Sequence, residues 1–365
     1  MPNEYRQRLA RLRLRLTEAH SDAVLVTHAP NIHYLCGFQG SAGILIVEAD
    51  RATLFTDGRY SIQAREQTRQ TGVSVHIPKG PILLAAAAQL GSLTTRRPPR
   101  IAIDAAHLTV SEKEKLVKAV GRPCRWISCA GWVERLRTIK SDSELERIKA
   151  AARLISSVFD QIINQIRPGI AELDIAAEID YRMRKLGAEG PSFETIVASG
   201  PRSALPHARP TSRRLHGNEL VVLDAGAILT GYCSDMTRTV YTGRAPDRVK
   251  RWYKAVLEAQ IAACEATTAG VESRAPDGAA RRVLESYKLG KYFVHSTGHG
   301  LGLEVHEEPR LAKGQSALIE SGMVVTIEPG VYVPGVGGIR IEDDLAVRDG
   351  KAEILTTTSR ELLEL

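Results

Sequence analysis

Residues 219–243 read ELVVLDAGAILTGYCSDMTRTVYTG, and residues 322–347 read GMVVTIEPGVYVPGVGGIRIEDDLAV. In the first stretch Leu220 to Leu223 form a continuous apolar run, the pattern of a buried strand. Asp224 ends that run. A turn is expected near Thr230-Gly231, and the chain then returns through Cys233 to Val240. Asp224 and Asp235 are placed almost symmetrically about the turn. Antiparallel pairing would bring their carboxylates close, either opposite or one diagonal apart. In the second stretch Glu328 follows the apolar run Met323 to Ile327, and Glu342 lies in Ile339 to Val347. Their positions are symmetric about Gly335, in the evident turn after Pro334. Pro329-Gly330 marks a bend, and Gly337-Gly338 allows a close backbone approach.

Four acids in apolar strands are costly unless they are paired or bind metal. Pairing with Arg238 or Arg340 would account for any one of them. It accounts poorly for four placed alike in two matching hairpins. A third stretch, YFVHSTGHGLGLEVHEE at 292–308, brings His295, His299 and His306 within twelve residues. Gly298, Gly300 and Gly302 suit a backbone packed against a site. The spacing is not that of a dinucleotide glycine loop. His295 and His299 are four apart, as on a zinc-protease helix, but Ser296 stands where that motif needs Glu, and the glycines oppose a helix. Two Asp, two Glu and one His form a hard, oxygen-rich donor set whose four negative charges match two divalent cations. Mn²⁺, Co²⁺ or Fe²⁺ suit it, and Zn²⁺ is accommodated. Such a pair can activate water and stabilise both sides of a hydrolytic transition state. The G-x-S-x-G elbow of serine hydrolases is absent.

The rest of the chain frames this cluster. At 365 residues it exceeds the roughly 250–300 at which a single core stops growing, so two domains are expected. The apolar fraction of 43% and charged fraction of 25% are those of a globular protein. The longest apolar run, Ile82 to Ala88, is far short of the roughly 20 residues a membrane span needs. Net charge is +7, carried mostly by dispersed arginines, with short runs at RLRLR near the start and RRPPR at 96–100. Without interleaved aromatics these imply neither a nucleic-acid nor a membrane partner. The first 16 residues are too charged for a signal peptide. Leu9, Leu12 and Leu16 make them an amphipathic helix, and a membrane-surface helix is the alternative. Five scattered cysteines without a CxxC pair fit a reducing, cytoplasmic setting.

Strands are expected at 23–28, 42–48, 52–57 and 101–107, with helices at 60–71 and 111–121. A capping-box spacing at Ser111 and Glu114 would open the second of these. This α/β half shows no catalytic cluster. Residues 135–140 are expected to link it to a helix opened by Ser141-Asp142-Ser143-Glu144. Further helices are expected at 172–186 and 249–268, with most remaining strands at 190–245 and 291–348. The expected division is 1–135 and 136–365.

The motifs FETIVASGPRSALPHARP, LDAGAILTGYCSDMTRT, HSTGHGLGLEVHEEP, TIEPGVY and GGIRIEDD, in that order, resemble the pita-bread metallopeptidases. The chain as a whole resembles their Xaa-Pro aminopeptidase/prolidase branch. NIHYLCGFQGSAGILIV and LFTDGRY resemble that branch's creatinase-like N-terminal domain. The resemblance implies an α+β protein: a pita-bread catalytic domain preceded by an α/β creatinase-like domain. It implies that Asp224, Asp235, His299, Glu328 and Glu342 hold two divalent ions, manganese foremost, with Asp235 and Glu342 spanning both. His207 would bind substrate near the scissile carbonyl, His306 would contact substrate and assist proton transfer, and His295 would line a proline pocket. Arg340 would orient Glu342, and Tyr332 would join it in hydrogen bonding. Ser296 departs from the family's usual small residue there and leaves the ligands untouched. The implied activity is that of an Xaa-Pro aminopeptidase, cleaving the bond before a proline in second position. An Xaa-Pro dipeptidase is the alternative, needing a cation such as Arg310 for the free carboxylate, and a non-catalytic binding protein on the same fold is another. The implied partners are a proline-containing peptide and a second copy of the chain, with Tyr34, Phe38 and Tyr60 as candidate contacts.

Overall fold

A computed structural model describes residues 2–365. The chain divides into two compact units, Met1–Arg137 and Thr138–Leu365. In the first, helix α1 (Pro2–Glu18) buries Leu9, Leu12 and Leu16. Those three positions recur at helical spacing, so one face supplies the whole apolar contact. A six-stranded sheet follows, in the order β4-β3-β2-β1-β5-β6. Its strands are β1 (Ala23–Val26), β2 (Ile44–Glu48), β3 (Ala52–Phe55), β4 (Ser74–His76), β5 (Arg100–Ile103) and β6 (Arg125–Ser128). β1, β5 and β6 run parallel, whereas β1–β2 and β2–β3 are antiparallel. The helices are α2 (Ala29–Cys36), α3 (Ser61–Thr68), α4 (Ile82–Gly91), α5 (Val110–Val120) and α6 (Trp132–Thr138).

Three local readings need correction. The capping box of α5 is Thr109 with Glu112, two residues before the expected pair, because Thr109 is the residue with extended backbone. The expected linker 135–140 is helical as far as Thr138. Tyr34 and Phe38 are not surface aromatics: they are 2% and 1% exposed, in the core of their own unit. Tyr60 stands edge-on to Phe38 and shares a hydrogen bond with Ser41. The apolar run at 82–88 became α4, and its Ala86, Ala87 and Leu90 pack on the sheet.

In the second unit, Ser141 and Glu144 form the capping box of α7 (Asp142–Ile162), which is followed by α8 (Glu172–Lys185). The strands β7 (Gly190–Pro191), β8 (Ile196–Ser199), β9 (Glu219–Ala225), β10 (Ala227–Leu229), β11 (Tyr232–Cys233) and β12 (Met236–Thr242) come next. Helices α9 (Asp247–Ala266) and α10 (Arg274–Ser286) separate them from β13 (Gly298–Gly300), β14 (Glu307–Leu311), β15 (Val324–Ile327), β16 (Gly330–Val333), β17 (Gly337–Arg340), β18 (Asp343–Ala346) and β19 (Glu353–Ile354). Sequence reading had not marked α10, whose first turns carry Pro276 and Gly278.

The two hairpins occupy matching places. β9 and β12 bury Leu223, Val240 and Met236 with Ile155, Val158 and Ile179 of α7 and α8. β15 to β18 bury Ile327, Val331 and Leu345 with Val256, Ala259 and Leu284 of α9 and α10. Each hairpin thus has one apolar face sealed by two helices. The acids lie at the strand ends.

Candidate metal centre

Register fixes where the carboxylates fall. β12 pairs with β9 so that Thr237 faces Asp224 and Met236 faces Ala225. Asp235 is therefore one diagonal from Asp224, the second of the two arrangements expected. Thr230 and Gly231 both have positive φ at the turn, the conformation that joins a tight hairpin. In the second hairpin Ile327 faces Asp343 and Gly330 faces Arg340. Both pairs share one register, and Glu328 and Glu342 lie across from each other in the break between them. Pro329-Gly330 makes that break.

His299 lies in the middle of β13. A Cβ on Gly298 would come within 1.9 Å of the Thr326 carbonyl, and one on Gly300 within 2.2 Å of the Glu308 carbonyl. Only glycine at both positions lets β13 fit between β14 and β15 and bring His299 to the acids. His299 Nδ1 lies 3.0 Å from the Gly300 carbonyl oxygen. A proton on Nδ1 donated there turns the Nε2 lone pair toward the cluster. Nε2 is 3.8 Å from Asp235 Oδ2 and 3.7 Å from Glu328 Oε1. Donor atoms of Asp235, His299 and Glu342 all lie within 4.8 Å of one another.

The electrostatics of this cluster call for cations. Burial, and then Glu342 and Asp224, push the Asp235 carboxyl well above its ordinary range. Burial, Glu328 and Asp224 do the same to Glu342. Glu328 is pushed up to about 7 by burial, with Arg340 opposing. Asp224 Oδ1 and Asp235 Oδ1 are buried and accept no hydrogen bond. Burial, with His306 acting in the same direction, pulls His299 down to about 4, so it stays a neutral donor. Two buried carboxylate oxygens left over, next to a neutral imidazole, are what a divalent-ion site of this composition requires.

Each hairpin is braced by the other. Arg340 from β17 donates through Nη2 to Asp224 Oδ2 and through Nη1 to the Tyr332 hydroxyl at 2.7 Å. Its charge also favours the ionised form of Glu342, the partner expected two residues along the chain, but its hydrogen bond goes to Asp224. It reaches Asp224 across the hairpins because residues two apart on a strand point the same way, toward β9 and β12. Glu342 is held instead by Thr237, whose hydroxyl donates to Oε2 at 2.6 Å. Arg340 Nε donates to the same hydroxyl at 3.0 Å. Asp344 Oδ2 accepts from the Asp235 backbone N–H at 3.0 Å. Sequence reading missed Thr237 and Asp344. Both sit two residues from a candidate ligand on the same strand face, and that spacing was the available signal. Arg238, the other arginine weighed for the acids, pairs with Asp343 at 2.7 Å.

A cavity of about 300 Å³ opens on the cluster. All five candidate ligands line it, with His207, His306 and Arg340. Phe193, Ile196 and Val305 supply its apolar wall. His306 stands edge-on to His299, with ring centres 4.4 Å apart, and burial followed by His207 lowers its pKa. His295 and Tyr332 are not on the wall. They stand behind Arg340, the Tyr332 hydroxyl lying 2.9 Å from His295 Nε2. Arg310 is exposed on β14 and is not on the wall either, whereas Arg209 is, paired with Glu194 at 3.1 Å.

This fold, with an acid-and-histidine cluster at the joined ends of two hairpins, defines a pita-bread metallopeptidase. The chain belongs to metallopeptidase family M24, whose model matches residues 146–349, and residues 8–139 match the creatinase/prolidase N-terminal domain. An Xaa-Pro dipeptidase of Pyrococcus furiosus is 35% identical over 98% of this chain and 100% of its own length. The structure of an Xaa-Pro dipeptidase from Bacillus anthracis superposes with a TM-score of 0.94 at 39% identity, covering 99% of this chain and 100% of that one. An X-Pro aminopeptidase from Thermotoga maritima gives 0.88 at 35% identity, covering 96% and 100%. Among the described residues no helix is long and apolar enough to cross a membrane.

Proposed function

We propose that this chain is an Xaa-Pro dipeptidase working with two divalent metal ions, manganese foremost. Asp224, Asp235, His299, Glu328 and Glu342 would hold the ions. The observation that carries the reading is the pair of buried, unpartnered oxygens on Asp224 and Asp235 inside a cluster of four acids. Ions bound there would polarise the scissile carbonyl and lower the pKa of water.

The chain's own residues account for the rest. An Xaa-Pro bond has no N–H, so recognition must use ring shape and the carbonyl. His207 and His306 line the cavity and would hydrogen-bond the carbonyl. The proline nitrogen must take up a proton as its bond to carbon breaks. Glu328 or a nearby histidine on the wall, such as His306, would carry it. Arg340 holds Asp224 in place and is itself held by Tyr332 and Thr237.

The names of the relatives favour the dipeptidase over the aminopeptidase first expected, and a cavity of about 300 Å³ is at the small end for ligand sites. A dipeptide's free carboxylate needs a cation. Arg209 on the wall is one candidate, because its exposed pairing with Glu194 is cheap to exchange. Arg310 is the other. The aminopeptidase reading keeps one support, the Thermotoga maritima relative. A length series separates the two. With added Mn²⁺, Ala-Pro should be cleaved, and Ala-Pro-Ala and longer peptides should not. Equal or faster cleavage of the longer peptides would establish an aminopeptidase. The homodimer implied by the resemblance is tested by sedimentation of the same preparation.

A further inference from the structure

We propose that the N-terminal unit has a metal site of its own, in which His28, His107 and Glu134, with Asp104 beside them, take one divalent ion of the zinc class. The site shares no residue with the acidic hairpins.

Topology gathers the four residues. β1, β5 and β6 are neighbours and parallel, so their carboxyl ends lie along one edge of the sheet. His28 comes two residues after β1 ends at Val26. Asp104 directly follows β5, and His107 is three residues further on. Glu134 is on α6, the helix after β6. In open α/β sheets the crevice beyond the carboxyl ends of the strands is where ligands collect. Three segments distant in sequence thus place donors in one spot.

The distances suit a small ion. Donor atoms of His28, His107 and Glu134 all lie within 4.8 Å of one another. His107 Nε2 is 3.2 Å from Glu134 Oε1 and 3.9 Å from Asp104 Oδ2. Around a tetrahedral zinc ion with bonds of about 2.0–2.1 Å, neighbouring donors stand roughly 3.3–3.5 Å apart. The His28 and His107 rings lie parallel at 3.6 Å, so one must turn before both can ligate the same ion. Both side chains are only partly buried, which leaves room for that turn.

The charge balance points the same way. Asp104 is buried, and its carboxyl is pushed up first by burial and then by Glu134. Asn31 Nδ2 donates to Glu134 Oε1 at 2.6 Å, while Oε2 of the same carboxylate is buried and accepts no hydrogen bond. Two carboxylates beside two imidazoles form a mixed nitrogen and oxygen donor set, which zinc accepts. Cys129 lies close by, but its Sγ is not among the donor atoms that converge. The competing account is a protonated imidazole bridging the carboxylates without any ion.

The test is a zinc count on the full chain. Chelator-stripped protein is loaded with Zn²⁺, desalted and measured by elemental mass spectrometry. His107→Ala and His28→Ala should each bind one ion fewer per chain than the parent, with Mn²⁺-dependent peptidase activity unchanged. Glu134→Gln, which keeps the side-chain shape, should weaken that ion by at least roughly tenfold. Repeating the comparison in a His299→Ala background separates this site from the other cluster, because the difference of one ion should persist there. Equal counts in parent and variants would overturn the proposal. So would a His107 ring that titrates above neutrality by NMR and is indifferent to Zn²⁺.

Discussion

The hairpin of β9 and β12 and the hairpin of β15 to β18 each carry two acids, yet they present them differently. Asp224 and Asp235 are one diagonal apart, astride a tight turn with two positive-φ residues. Glu328 and Glu342 face each other in a gap where one sheet ends and a two-stranded ribbon begins. The side-chain hydrogen bonds that hold the acids cross from one hairpin to the other. Arg340 of the second braces Asp224 of the first, and Thr237 of the first braces Glu342 of the second. The difference teaches that the centre belongs to the pair of hairpins, and either one alone would leave buried charge unanswered.

The largest effects should come from removing an acid from either hairpin. Asp235→Ala and Glu342→Ala are expected to lose bound metal and to lower kcat by more than the roughly 10²–10³-fold that one lost electrostatic donor costs. If the variants of one hairpin keep both metal and turnover, the two hairpins are not equivalent partners. Next come the two histidines on the cavity wall. His207→Ala and His306→Ala should retain the parent's metal count and lose about 10²–10⁴-fold in turnover. A loss of metal in step with activity would place that histidine among the ligands.

Bracing across the hairpins should show as stability. In chelator-stripped protein, Arg340→Met leaves Asp224 buried without its partner and should cost about 3–5 kcal/mol by denaturant unfolding. Thr237→Val is milder, because it removes one hydroxyl that holds Glu342, and a roughly 10–100-fold loss of metal affinity is expected. No change in either variant would mean that the hairpins do not depend on each other.

The smallest effect concerns pH. Burial raises Glu328 to about 7, and it raises Asp235 and Glu342 as well. The folded, metal-free protein therefore holds protons that the unfolded chain releases. The stabilisation from Glu328 is complete below its ordinary pKa of 4.5 and is lost as pH rises through about 7. Melting temperatures of stripped protein should fall across that window, and saturating Mn²⁺ should remove the fall. A stripped protein that grows more stable between those values would contradict the buried-acid account.

Much of this was legible in the chain. Apolar runs ending in Asp224 and Glu328, turns at Thr230-Gly231 and Pro334-Gly335, and the glycines around His299 each carry a local physical signal. What stayed hidden depends on contacts between distant segments. Arg340 lies two residues from Glu342 in sequence, yet its guanidinium reaches Asp224. Arg310 has the right charge for a dipeptide carboxylate, but its place on β14 keeps it off the cavity wall, where Arg209 stands. Tyr34 and Phe38 lie next to turns and are still core residues: α2 folds Tyr34 inward, and Phe38 follows the left-handed Gly37 that ends the helix. His28, His107 and Glu134 share no motif and meet only because β1, β5 and β6 are neighbours.

The most direct test of the central claim is anomalous diffraction from crystals of the Mn²⁺-loaded chain. Two peaks about 3.5–4 Å apart are expected, between the Asp224/Asp235 hairpin and the Glu328/Glu342 hairpin and within bonding distance of His299 Nε2. Peaks confined to one hairpin, or none among these five side chains, would contradict it.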